Sequence, residues 1–181
     1  DGNTASLTLS SLPSTSSSTS SGTTQKGSDI DGEQADDGSG RVSVNSDGNY
    51  VAISAPNNDG NGNNSGHVRV YSWNGSSWVQ RGADINGEAA GDLSGESVAI
   101  NDSGNLVIIG ASNNSGANGA ASGHARVYSW NGSAWTQRGS DLDGEAASDG
   151  FGDSAAINSD GNIVAVGSQS NGASNRGHVR V

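Results

Sequence analysis

The chain has 181 residues with 29 glycines, one phenylalanine and no cysteine or methionine, and only 30% of it is hydrophobic, well under the roughly 45–50% usual for globular chains. Eight basic against nineteen acidic residues leave a net charge of −11, a surface that repels phosphate backbones and argues against nucleic-acid binding. The lack of cysteine excludes disulfides and thiolate metal sites, and no apolar stretch approaches the ~20 residues of a membrane-spanning helix. The apolar residues fall instead in short alternating runs, which a disordered chain would not need.

In chain order, residues 1–22 differ in kind from the rest. Asp1–Leu9 weakly echoes the turn and second strand of the later repeats, and Ser10–Thr24 is almost wholly Ser and Thr. Such a run cannot bury enough apolar surface to fold alone and reads as a linker or an O-glycosylated stalk. No charged-then-apolar leader precedes it, so the sequence reads as mature or internal. Residues 23–40 hold a strand, Thr23–Ile30, and an acidic loop. The spacing then predicts a unit over 41–96, a second over 97–153 and a third, short of its last strand, over 154–181.

These units are internal repeats. Gln25-Lys-Gly-Ser-Asp-Ile-Asp-Gly-Glu33 returns as Gln80-Arg-Gly-Ala-Asp-Ile-Asn-Gly-Glu88 and Gln137-Arg-Gly-Ser-Asp-Leu-Asp-Gly-Glu145, at spacings of 55 and 57 residues. Gly66-His-Val-Arg-Val70 returns as Gly123-His-Ala-Arg-Val127 and Gly177-His-Val-Arg-Val181. Each unit parses into four strands. The first is Arg41–Asn45, Ser97–Asn101 or Ser154–Asn158, apolar at alternate positions, and it ends in a Gly-containing turn. The second is Tyr50–Ala55, Leu106–Ala111 or Ile163–Ser168, nearly continuously apolar, as for a strand buried on both faces. The third is His67–Trp73 or His124–Trp130. Asn74-Gly75 and Asn131-Gly132 then predict hairpins, because both central residues of a type I′ turn need φ > 0. The fourth runs Ser77–Arg81 or Ala134–Arg138. Four antiparallel strands in about 50 residues is the period of a propeller blade.

The runs Gly91-Asp-Leu-Ser-Gly-Glu-Ser-Val-Ala-Ile100 and Ser148-Asp-Gly-Phe-Gly-Asp-Ser-Ala-Ala-Ile157 resemble the FG-GAP repeat. They are similar above all to the variety found in large secreted and surface proteins of marine bacteria and algae, in which a segment like Tyr128-Ser-Trp-Asn-Gly-Ser-Ala-Trp-Thr-Gln-Arg-Gly139 closes each blade. The resemblance covers Gln25 to Val181. Phe-Gly itself stands only at Phe151-Gly152; the other copies carry Ser39-Gly40 and Ser94-Gly95. The resemblance implies an all-β, β-propeller-type protein with about three four-stranded antiparallel blades in this chain, often with calcium in the loops. The permuted N-terminal strand is expected to complete the last blade. Three blades cannot close a ring that typically has 4–8, so either the chain is a fragment or chains complete one another.

The acidic loop occurs three times: Asp29, Asp31, Glu33 and Asp37; Asp84, Asn86, Glu88 and Asp92; Asp141, Asp143, Glu145 and Asp149. Oxygen ligands at alternate positions around a glycine suit Ca²⁺, which takes 6–8 oxygens in a flexible shell. The competing reading is that they cap turns or pair with Lys26, Arg81 and Arg138. His67, His124 and His178 share one repeat position, and a propeller holds equivalent positions far apart, so they are read as structural rather than as a zinc site. No Ser lies in a Gly-x-Ser-x-Gly elbow, and any triad would be copied in every unit, which argues against an enzyme. Trp73, Trp78, Trp130 and Trp135 flank the Asn-Gly turns, either as cross-strand pairs or as platforms for sugar rings. Asn63, Asn74, Asn101, Asn113 and Asn131 are Asn-x-Ser sequons at expected turns and loops, hence candidate glycosylation sites. The reading is an extracellular or cell-surface structural or adhesive protein that self-associates through its N-terminal strand. A carbohydrate-binding module is the alternative.

Overall fold

The computed structural model describes residues 24–171 and 176–181. The predicted stalk over 1–22, with Thr23, lies outside the described residues. Among them there is no helix. The chain forms three antiparallel sheets, one per repeat. The first contains β1 (Arg41–Val44), β2 (Tyr50–Ala55), β3 (His67–Trp73), β4 (Trp78–Gln80) and β5 (Ile85–Asn86). The second repeats it with β6 (Ser97–Ile100), β7 (Leu106–Ala111), β8 (His124–Trp130), β9 (Trp135–Gln137) and β10 (Leu142–Asp143). The third has β11 (Ser154–Ile157), β12 (Val164–Ser168) and β13 (His178–Arg180).

Two expectations are corrected. The fourth position in the first two sheets is not one strand but two short ones, β4 and β5 or β9 and β10, both paired to the same neighbour, β3 or β8. The break has a local cause. Gly82 turns the chain at φ +83, where a Cβ would collide with Trp130. Residues 24–30, expected to be a strand, form none. They lie on the first sheet: the Trp78 indole N–H donates to the Lys26 carbonyl at 2.8 Å, as that of Trp135 donates to the Arg81 carbonyl at 2.7 Å. The segment therefore stands to the first sheet as the connector at Arg81–Gly82 stands to the second.

The sheets pack face to face, and the packing repeats. Ala52, Val68 and Val70 on one face of the first sheet meet Ile100, Val107, Ile109 and Tyr128 of the second. Ile108 and Ala125 on the far face of the second meet Phe151 and Val166 at the third. A strand buried on both faces must be apolar at every position, which is why Leu106–Ala111 is buried throughout. Polar staples recur at the seams. Asn45 Oδ1 caps its own turn by accepting from the backbone N–H of Asn49 and Tyr50, while its Nδ2 donates to the Asp102 carbonyl at 2.6 Å. Asn101 repeats the arrangement with Asn105, Leu106 and Ser159. The Phe-Gly dipeptide and its Ser-Gly counterpart are also seam elements. Ser94 bridges Gly66, and Phe151 bridges Gly123. The following glycine donates its N–H to the sheet it joins, Gly95 to Gly110 and Gly152 to Gly167.

Candidate metal centre

The connector, the third strand and the short outer strand of each of the first two repeats converge on one place. In the first repeat, His67 Nδ1 lies 3.9 Å from Glu33 Oε2 and 3.8 Å from Asp84 Oδ2. In the second, His124 Nδ1 lies 4.0 Å from Glu88 Oε2 and 3.5 Å from Asp141 Oδ2. Glu33 and Glu88 come from the connector ahead of each sheet. Each histidine opens the third strand, where it is only 2% exposed. Asp84 and Asp141 precede the short outer strand. The three ligand atoms of each set lie within 4.8 Å of one another, so these two clusters could hold a metal ion.

Each glutamate is also shared with a buried arginine. Arg69 Nη1 lies 3.5 Å from Glu33 Oε1, and Arg126 Nη1 lies 3.0 Å from Glu88 Oε1. The guanidinium thus holds one carboxylate oxygen and leaves the other facing the imidazole. Burial pushes both histidines below the usual imidazole range. For His67, Asp84, Glu33 and Asp37 oppose that shift while Arg69 adds to it. For His124, Arg126 adds to it, and Asp141, Glu88 and Asp92 oppose it. Burial is the larger effect at both, so the imidazoles are neutral at neutral pH.

A pH dependence follows for the metal-free chain. In the unfolded state a histidine titrates near ~6.5. A folded value below that means the unfolded chain binds more protons in between, so the histidines' contribution is complete above the unfolded value. It is lost as pH falls through the folded one. Unfolding midpoints in chelator should drop on acidification below about pH 6.5, and a His67→Gln/His124→Gln double variant should flatten that slope. An unchanged slope in the double variant would show that other groups set it.

The remaining acidic-loop residues are drawn elsewhere. Asp37, Asp92 and Asp149 are buried and cap turns: Asp37 Oδ2 accepts from Gln34 N–H, Asp92 Oδ2 from Ala89 N–H, and Asp149 Oδ2 from Glu145 and Ala146 N–H. Asp29 accepts from the glutamine four residues earlier, as Asp84 and Asp141 also do through Oδ1, the oxygen not facing the histidine. Asp31 and Asp143 offer their backbone carbonyls to Arg69 and Arg180. Asn86 pairs with His67 across the β3–β5 ladder. Asn171 reaches both Glu145 and Asp149.

The tryptophans form two cross-strand pairs, Trp73 with Trp78 at 5.4 Å and Trp130 with Trp135 at 5.5 Å between ring centroids. Lys26 sits over the first pair and Arg81 over the second. Both pairs thereby clamp the connector to the sheet. Of the sequons, Asn63, Asn74, Asn113 and Asn131 are exposed and Asn101 is buried in its seam. Neither protein-family models nor curated proteins give a match to this chain.

Proposed function

We propose that this is a non-enzymatic structural or adhesive repeat protein of the extracellular space or cell surface, built of FG-GAP-like propeller blades that associate head to tail. One observation carries the reading: the two end faces of the stack are the two halves of its own internal interface. Val42 and Val44, 62% and 60% exposed, occupy the repeat positions of Val98 and Ile100, which pack against the preceding sheet. Val179 and Val181, 66% and 89% exposed, occupy those of Val68 and Val70, which are buried against the following sheet. A second copy placed behind the first sheet would continue the same packing. Its β13 would meet Ile30–Asp31, as β3 meets β5 and β8 meets β10. Edge pairing of this kind takes affinity from main-chain hydrogen bonds and register from side chains, and it also covers exposed strand edges. The acidic, cysteine-free composition and the Ser/Thr run support the extracellular setting.

The contact is heterologous, so a substitution at one end blocks only that end. Val42→Lys and Val179→Lys chains should each be monomeric. Mixed, they should give a one-to-one dimer and nothing larger, because each retains the half that the other lost. Equilibrium sedimentation reads the masses. Homodimers of either single variant would contradict the arrangement, as would a mixture that stays monomeric.

A further inference from the structure

We propose that Glu33, His67 and Asp84, and again Glu88, His124 and Asp141, are two copies of a site for a transition-metal ion of the Zn²⁺ class that locks each sheet to the connector before it. Acidic residues gathered on a surface would not carry this. The buried imidazole does. Each histidine is 2% exposed and turns Nδ1 toward both carboxylates, at 3.5–4.0 Å. Two independent copies thus aim the nitrogen of a buried imidazole at the same two carboxylate neighbours, the arrangement a bound cation would bridge.

The donor set selects the ion. An imidazole nitrogen with two carboxylates is a common set for zinc, which binds nitrogen and oxygen at about 2.0–2.2 Å. Calcium and magnesium take oxygen ligands. Tetrahedral ligands at such a radius stand roughly 3.4 Å apart. The observed nitrogen-to-oxygen separations of 3.5–4.0 Å need only a small contraction. The neutral imidazole leaves Nδ1 free to ligate when the proton is on Nε2. Arg126 holds Glu88 by its other oxygen, which fixes the carboxylate without occupying the liganding atom. A fourth position remains for water. At the second site it faces a cavity of about 520 Å³ lined by Glu88, Asp92, Asn114, His124 and Asp141.

The ligands explain what binding would do. Glu33 and Glu88 lie on connectors, and the other ligands belong to the sheet that follows. An ion therefore crosslinks successive chain segments at each seam and stabilises the folded state by mass action. This inference is independent of self-association, and its test uses the end-blocked Val42→Lys chain to keep the two apart.

Zn²⁺ titrated calorimetrically into the chelator-treated, untagged protein should bind at two equivalents, matching the two clusters, and should raise the melting temperature. His67→Gln and His124→Gln should each remove one equivalent and the pair both, with melting in chelator reporting that the variants fold. If either fails to fold, Asp84→Asn or Asp141→Asn replaces it, since those side chains are more exposed. Co²⁺ in place of Zn²⁺ should give the intense visible bands of a tetrahedral site, and these should disappear in the double histidine variant. Stoichiometry unchanged by the histidine variants, displacement of Zn²⁺ by an equal concentration of Ca²⁺, or no binding would each overturn the proposal.

Discussion

Phe151→Ala should lower the stability of the chain by about 3–5 kcal/mol, the usual cost of emptying a buried phenylalanine site. Phe151 is almost wholly buried and packs with Ile108, Ala125 and Val166 where the third sheet joins the second. It also stacks near His178, with ring centroids 5.6 Å apart, and lies under the Arg180 guanidinium at 3.9 Å. Truncation therefore removes one seam's apolar centre and the support beneath β13 together. For a chain of this size the loss should appear as a fall of roughly 10 °C in melting temperature. Thermal unfolding followed by tryptophan fluorescence would measure it. A fall of only a degree or two would mean that the third sheet is not held through this residue.

Gly152→Ala should cost a comparable amount by a different route. Gly152 has φ +103, a region in which an L-residue is strained by roughly 1–2 kcal/mol. A Cβ there would also press on the His124 carbonyl, a backbone atom fixed in its ladder. Overpacking of that kind adds about 1–3 kcal/mol. Gly95 shows the same positive φ and a Cβ position crowded by Ser54 and the His67 carbonyl, so Gly95→Ala should behave alike at the first seam. Denaturant unfolding of the two variants is the check, and a neutral result at both positions would remove the dipeptide's role as a seam element. The phenylalanine is thus replaceable in principle, since serine stands at position 94. The glycine is not.

The strands most legible in the sequence are those that are largely buried. Tyr50–Ala55, Leu106–Ala111, His67–Trp73 and His124–Trp130 appear at the limits that their apolar runs suggest. The Asn-Gly hairpins stand where the sequence puts them but are not type I′ turns: Trp73 pairs with Trp78 and Trp130 with Trp135 across four-residue loops, and Gly75 and Gly132 have positive φ while the asparagines do not. Asn74 Oδ1 instead accepts from the Ser76 and Ser77 N–H, and Asn131 Oδ1 repeats this with Ser133 and Ala134. The outer strands were harder to read. Ile85–Asn86 and Leu142–Asp143 are two residues each, too short for any alternation to show, and they pair only because glycine turns the chain back to the ladder. Thr23–Ile30 resembles a strand because it repeats the end of one, but its ladder partner lies in no sheet of the described chain.

The histidine clusters were hidden for a related reason. Acidic residues seen in sequence group along their own loop, whereas the fold takes one from each of two successive loops. Glu33 meets Asp84, and Glu88 meets Asp141, with a histidine from the strand between them. Equivalent histidines stand one to a sheet, which argued against one shared site. It does not argue against one site per repeat. A signal was present, since the acidic loops and the Gly-His dipeptide recur at nearly the same period. Their convergence depends on β5 and β10, the elements the pattern did not reveal.

If the exposed faces at the two ends of the stack are halves of one interface, the chain should self-associate. The most direct measurement is the mass of the unmodified 181-residue chain in solution across a range of concentrations, by sedimentation or light scattering. With a net charge of −11 on every copy, association should be strengthened by added salt, which screens the repulsion. Masses should climb in steps of 17.9 kDa with concentration, and higher still as ionic strength rises. A well-folded 17.9 kDa monomer at every concentration and salt level would contradict that interface.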